Sequence, residues 1–400
     1  MEINKVEIAS KIKIQLLLMT LCLLLMGQGF IESVPCSKVY VAKVIVLLDD
    51  AGQHRNLPMS VSSLAWHPEG KTLLVDFKSV NGYYCVTQLF PMGEGASRLK
   101  YMTDMRVPGD SRFHNGNPHW LPNGEGFLFS GQDFYLNELA SSEPGYGFGC
   151  NIYYGDKASK SFSKLTEYKA GARQIEGCTM PIASPSGDIL FWTECRQEEN
   201  SVSPWGRRII RQASFKMDNS APQLENIRDI TPDVLRKAFI ETSDCKAGLL
   251  LYSASEDDSK WYGMDVFVQD ISAKGKDDPR NLTNDATELD RFPVFSPNAK
   301  KVAWSSTKGF DTSYIGVDSS RWQSELRSEV WIMEADGRDR QRLTYFNQKG
   351  HEHFVSPNGA YVYMVAWHPK YDNVIALVLR KPEQSRVSSA VLLLELGIRK

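Results

Sequence analysis

The chain has 400 residues, 42% apolar and 24% charged, with 18 Phe, 16 Tyr and 9 Trp. That aromatic content excludes intrinsic disorder, whose composition cannot bury a core. Forty-six basic against 48 acidic residues leave a net charge of -2, so no bulk attraction to a nucleic-acid backbone is expected.

At the N-terminus, Lys5, Lys11 and Lys13 precede an apolar run from Leu16 to Met26, interrupted by Thr20 and Cys22. The run has the length of a signal-peptide core and falls short of a membrane span. Gly27-Gln28-Gly29 then offers a small-x-small cleavage site. Residues 1–29 therefore read as a signal peptide, with an uncleaved amphipathic anchor as the alternative, and a periplasmic or secreted protein is expected. Cys22 follows Leu21 and Cys36 follows Pro35, so neither sits after the small residue that a lipoprotein signal requires. Beyond the leader remain Cys36, Cys85, Cys150, Cys178, Cys195 and Cys245. Export permits disulfides among them, but no pair has C-x-x-C spacing. Bridges and buried thiols both remain open.

Internal repeats organise the rest. AWHPEGKTLLVDF at 65–77, HWLPNGEGFLFSG at 119–131, IASPSGDILFWTE at 182–194, VFSPNAKKVAWSS at 294–306 and FVSPNGAYVYMVA at 354–366 share one pattern. Each has a Pro-led turn with Gly or another small residue, then a strand of aromatic and β-branched residues. Pro68, Pro122, Pro185, Pro297 and Pro357 mark the turns, and DCKAGLLLYSASE at 244–256 fills the one double gap, so units recur about every sixty residues. A second hairpin follows each turn, as in NIYYGDKASKSFSKLT at 151–166, MDVFVQDISAKGKDDPRNLT at 264–283 and EVWIMEADGRDRQRLT at 329–344. Four strands per unit is the content of one propeller blade. The expected fold is all-β, a six-bladed β-propeller of four-stranded antiparallel blades over residues 37–400. VYVAKVIVLLDDAGQHRNL at 39–57 is expected to close the ring by pairing with the last unit, in competition with strands near 373–380 and 387–396.

FSPNAKKVAWSS followed by EVWIMEADGRDRQRLT resembles the WD-like repeats of the TolB-type six-bladed propellers. The resemblance covers nearly all of the chain after the leader. It implies an exported module that docks proteins or other ligands at the cell envelope. Only about ten residues separate the leader from the first strand, so the N-terminal α/β domain that accompanies the TolB propeller is not expected.

No G-x-S-x-G elbow and no phosphate-binding loop occurs. GYGFG at 145–149 is Gly-rich but no helix follows it. His351-Glu352-His353 is the most suggestive cluster. Aligned on the turn prolines it falls on the first strand of blade six, where alternate residues share a face. His114 occupies the equivalent approach to blade two, and Asp290 and Arg291 open the first strand of blade five. Together these six residues form the expected polar channel mouth. Channel histidines that hold a divalent metal occur in the oligogalacturonate lyases, so a metal-assisted lyase or hydrolase is the alternative, with the metal at His351 and His353. Two histidines are no complete ligand set, however, and no cofactor is the leading expectation.

Alternating strands place the within-unit and between-unit loops on one face. The within-unit loops at 132–149, 196–207, 254–263 and 307–328 are long and aromatic, and such loops on a rigid scaffold often carry function. Tyr146, Phe148, Trp261, Tyr314 and Trp322 are the expected contacts to a protein or glycan partner, in a monomeric, non-catalytic module. Intact-mass analysis of the exported protein is expected to show loss of residues 1–29. A retained N-terminus would sink the cleavage reading.

Overall fold

The computed structural model describes residues 38–399 except 50–59, 79–81, 94–95, 103–113, 134–144, 158–161, 170–173, 199–205, 219–220, 256–261, 272–278, 316–321 and 383–386. The expected signal segment, 1–29, and Cys36 lie outside the described residues. Among the described residues, twenty-four strands form six four-stranded sheets. Blade one is β2 (Val61–Trp66), β3 (Leu73–Lys78), β4 (Tyr84–Gly93) and β5 (Ala96–Tyr101). Blade two is β6 (Asn115–Trp120), β7 (Gly126–Gln132), β8 (Cys150–Asp156) and β9 (Phe162–Lys164). Blade three is β10 (Gln174–Ala183), β11 (Ile189–Glu198), β12 (Arg207–Asp218) and β13 (Ala221–Asp229). Blade four is β14 (Ile240–Lys246), β15 (Leu249–Ser255), β16 (Met264–Asp270) and β17 (Arg280–Asn281). Blade five is β18 (Asp290–Phe295), β19 (Lys301–Ser306), β20 (Glu329–Glu334) and β21 (Gln341–Arg342). Blade six is β22 (Tyr361–Trp367), β23 (Val374–Pro382) and β24 (Val387–Arg399), completed on its outer side by β1 (Lys38–Asp49).

The chain is thus a six-bladed β-propeller, as its repeats predict. Both contenders for closure take part: the C-terminal strands build blade six and the N-terminal strand finishes it. Pairing the two chain ends in one sheet leaves no blade with an unpaired seam. The apolar core is divided accordingly: six clusters lie one at each blade interface, and a seventh gathers Phe239, Met264, Leu289, Ile315, Leu326 and Tyr361. Leu74 and Val86 of blade one, for example, meet Trp120, Phe127 and Phe129 of blade two, and Leu64 and Val75 meet Val378 and Val391 across the closing seam.

The last repeat differs from the expected register. Pro357 lies before β22, in the connection between blades five and six, and the turn equivalent to Pro68 is at Pro369. Ala65-Trp66-His67-Pro68 and Ala366-Trp367-His368-Pro369 are the true counterparts. The physical reason is a contact between neighbouring turns. His368 Nε2 lies 3.0 Å from the Gly70 carbonyl, with its ring edge-on to Trp66. His67 repeats this with the Gly124 carbonyl at 3.3 Å and Trp120. Gly70 and Gly124 have φ of +77° and +69°, and a Cβ on either would strike the histidine ring. The turn glycine is therefore required twice over.

The closing Leu-Thr or Ile-Thr of the units is also explained. Thr166, Thr231, Thr283 and Thr344 each accept, through Oγ1, the amide proton of a third-strand residue, namely Ile152, Ile210, Val266 and Val330. A side-chain hydroxyl thus continues the outer ladder just beyond the end of the fourth strand.

All six inner strands carry a β-bulge at the same level. A bulge releases backbone groups from the ladder, and side chains of the same or a neighbouring blade supply their partners. Asp76 Oδ1 accepts the Ser62 and Ser63 amides while Oδ2 accepts Asn117 of blade two. Asn117 Nδ2 reaches Thr179 of blade three, and Thr193 Oγ1 accepts the Thr242 amide of blade four. Asp244 Oδ2 takes the Phe295 amide of blade five. Ser305 Oγ donates to the Val362 carbonyl of blade six, and Arg380 donates to the Val61 carbonyl and Ser62 Oγ of blade one. A closed polar belt results, and it links every blade to the next.

Cys85, Cys150, Cys178, Cys195 and Cys245 are buried free thiols. Burial pushes the Cys85 and Cys245 thiols up to about 12 and Cys195 up to about 11, which keeps them protonated and unreactive.

Asp76→Ala is expected to leave three buried amides unpaired and to cost roughly 3–5 kcal/mol. Urea unfolding measures it; a change within about 0.5 kcal/mol, as for an ordinary surface substitution, would show that the belt does not hold the blades.

Candidate functional site

The inner strands line an axial channel whose two ends differ. Toward the face carrying the first-to-second-strand turns lies a cavity of about 220 Å3 with contributions from all six blades. Its deeper wall includes Met180, Ile182, Val294 and Met364; Trp66 and Lys246 stand nearer the turns. Asp244 is also in the wall, its carboxylate held by the amides of Cys245 and Phe295. Burial raises its pKa against these bonds and against the nearby Lys246. His119, another wall residue, is lowered to about 4 by burial, so it is neutral near pH 7 and presents an apolar ring with one acceptor.

The bulges shape this cavity. Asn117, Met180 and Phe292 have φ of 50°, 53° and 54°, a left-handed conformation that non-glycine residues adopt at a cost. Met180 and Asn117 are thereby turned into the channel wall, where the sulfur of Met364 also accepts the Leu64 amide at 3.3 Å.

The other end, at the loop face, is crossed by the 145–149 segment. Phe148 bridges to Gly177 at the start of β10, while a Cβ on Gly145 would lie 3.3 Å from the Tyr363 hydroxyl of blade six. Blades three and six are opposite in the ring, so the segment spans the axis. Gly147, at φ +82°, packs where a Cβ would come within 2.8 Å of Cys195 Sγ. The glycines of this motif serve close approach, not phosphate binding. Beneath it, Arg291 Nε and Nη2 grip both Glu241 oxygens at 2.8 and 2.6 Å. Arg208 is 0% exposed and donates to the Tyr146 carbonyl.

Of the residues expected at the channel mouth, Arg291 stands there. Asp290 opens the same strand but is 1% exposed and accepts the Trp304 indole N–H at 3.1 Å; desolvation raises its pKa to about 7. His114 is buried between Tyr83 and Tyr84 and accepts the Tyr84 amide. His351, Glu352 and His353 are not on a channel strand: they form a turn between β21 and β22. His351 stacks on Tyr345 at 4.4 Å and His353 lies 4.5 Å from it, ring to ring. Tyr345 in turn lies under Arg342 of the outermost strand of blade five. The shift follows from the register of the last repeat, which places His351, Glu352 and His353 before β22 and outside the sixth blade. Among the described residues, no group of three or more His, Cys, Asp or Glu is placed to hold a metal ion.

Among the described residues, the loop-face aromatics Phe148 and Tyr314 fold inward. Phe148 is 0% exposed, Tyr146 is half-buried, and Tyr314 packs against a cluster containing Phe239, Met264 and Leu326. Trp261 lies outside the described residues. Trp322 begins the short helix α1 (Trp322–Glu325), and its side chain is likewise outside them. Sequence reading missed Glu241, Arg208, Arg380, Asp244 and Met364. The second Ala-Trp-His-Pro was the available signal, since it places Tyr361 to Trp367 on an inner strand.

Fold and site together define a six-bladed propeller with an axial cavity toward one face and a bridged opposite end. Solved structures similar to it include a TolB-named protein from Agrobacterium tumefaciens (13% identity, covering 91% of this chain and 99% of that one, TM-score 0.49). TolB from Acinetobacter baumannii gives 14%, 85% and 65%, with a TM-score of 0.40. An oligogalacturonate lyase in complex with manganese gives 11%, 90% and 98%, with a TM-score of 0.42. No family model matches the chain, and no curated protein matches it.

The raised Asp290 has a sign that can be checked. Its folded pKa, about 7, exceeds the unfolded value of about 3.9. The native state therefore binds more protons between these values, and stability falls as pH rises from about 4 to 7. Asp290→Asn, which keeps the acceptor for Trp304, is expected to remove up to about 1.4 kcal/mol of that slope per pH unit and to be more stable than wild type at pH 8. Parallel pH profiles for the two proteins would contradict it.

Proposed function

We propose that the chain is an exported, non-catalytic binding propeller that receives an extended protein segment in the axial cavity from the turn face. The observation that carries this reading is the cavity itself, about 220 Å3 with all six inner strands in its wall. Its thioethers, Met180 and Met364, adapt to varied apolar side chains. Asp244 and Lys246 supply polar anchors nearer the turns, an arrangement suited to orienting a ligand in an apolar pocket. A rigid ring of bulged strands presents these groups without reorganisation, which lowers the cost of binding. The loop face is the rival docking surface, through Tyr146, Tyr314, Trp261 and Trp322 for a protein or glycan. It is less favoured because Phe148 and Tyr314 are committed to packing.

Selection of random peptides on the intact protein tests the choice of face. Peptides with apolar side chains are expected to bind, and Ser243→Trp, which places an indole in the cavity wall, is expected to weaken them at least tenfold. Tyr146→Ala with Tyr314→Ala is expected to leave them unchanged. The reverse pattern would move the site to the loop face.

A further inference from the structure

The axial cavity is blind, and that restricts what can occupy it. All six inner strands contribute to its wall, and the opposite end of the axis is crossed by the 145–149 segment. A chain entering from the turn face therefore cannot thread through and leave by the loop face. Nor is there width for it to turn back on itself. Two paired strands lie about 4.8 Å apart, and the cavity holds only about 220 Å3. For scale, an apolar cavity of about 150 Å3 accommodates a benzene ring. One large apolar side chain and the end of a chain fill the space.

Charge decides which end. The wall holds three titratable side chains, His119, Asp244 and Lys246. Burial keeps His119 neutral near pH 7. Asp244 already accepts the Cys245 amide on Oδ1 and the Phe295 amide on Oδ2, both at 2.8 Å. Burial raises its pKa, and Lys246 is near enough to oppose part of that rise. Lys246 is half-buried, yet among the described residues it makes no hydrogen bond and no ion pair. A partly desolvated ammonium beside an apolar wall favours an anionic partner.

We infer that the cavity captures the C-terminus of a protein chain, its apolar last side chain seated among Met180, Ile182, Val294 and Met364 and its α-carboxylate on Lys246. An entering N-terminus would set its ammonium against Lys246, and the carboxylate that could offset it has both oxygens occupied. A chain lying across the mouth would leave Lys246 facing a neutral backbone. Lys246 stands nearer the turns than the thioethers, so the carboxylate stays at the mouth while the side chain beside it reaches inward. The inference rests on the peptide-binding reading of this cavity and narrows it to one end of the chain.

Peptides selected on the intact protein from a library with free C-termini provide the probe. Amidating the C-terminus is expected to weaken binding at least tenfold, the size of one charge-assisted hydrogen bond. Acetylating the N-terminus is expected to change nothing. Lys246→Met, which keeps an unbranched apolar stem without the charge, should lower the free acids to the level of the amides and leave the amides unaffected. The amide comparison needs no variant, so it decides even if Lys246→Met does not fold. Equal binding of acid and amide, or a loss on acetylation instead, would overturn the inference and leave the cavity reading in place. So would amidated peptides that keep their affinity through an Asp or Glu, or N-acetyl-leucine binding as tightly as the longer peptides. Peptides whose binding ignores Ser243→Trp would refute the cavity reading itself, and the inference with it.

Discussion

The fold depends on the pairing of bulged inner strands with side chains from the next blade. Each inner strand breaks its own ladder to turn the backbone around the axis, and the groups released there are buried. Asp76, Thr193, Asp244, Ser305 and Arg380 supply missing backbone partners across successive interfaces, and Asn117 links blade two to blade three through Thr179. Burying an amide without a partner costs more than most single contacts return. The belt is therefore a condition for closing the ring. It also explains why polar residues recur at a level where an apolar core would otherwise be expected.

The same belt divides the channel. On its turn-face side the walls are thioethers, indoles and small residues around an open cavity. On its loop-face side the axis is occupied by guanidiniums, tyrosines and the Gly145–Gly149 crossing. The first side is the one that the proposed apolar segment would enter. Closure by β1 serves this division, since blade six contributes Tyr361 and Tyr363 to one end and Met364 and Trp367 to the other.

Histidine has two structural uses in this chain. His67 and His368 lock one turn onto the next through a glycine carbonyl and a tryptophan edge. His351 and His353 organise a turn outside the sixth blade, beside Tyr345. Burial lowers the pKa of His67, His353 and His368, which favours the neutral imidazole at each.

Blade number, four-stranded blades and the alternation of short turns with long loops were legible in the chain itself. Turn chemistry and strand periodicity are local, and repetition makes them visible six times. The closing Thr of four units and the turn glycines belong to the same class of signal. Register in the last unit was ambiguous because Ser356-Pro357-Asn358-Gly359 and Trp367-His368-Pro369 both satisfy the local rule for a turn. Only contact with Gly70 and Trp66, some three hundred residues away in sequence, decides between them. The pairing of Arg208 and Arg291 with Glu241 had no sequence signature either, since three blades bring them together. The sequence by itself determined the blades, because hydrogen bonding along a strand is local. The tertiary structure alone decided what lines the axis, because burial and charge balance there are set by whichever residues the closed ring brings face to face.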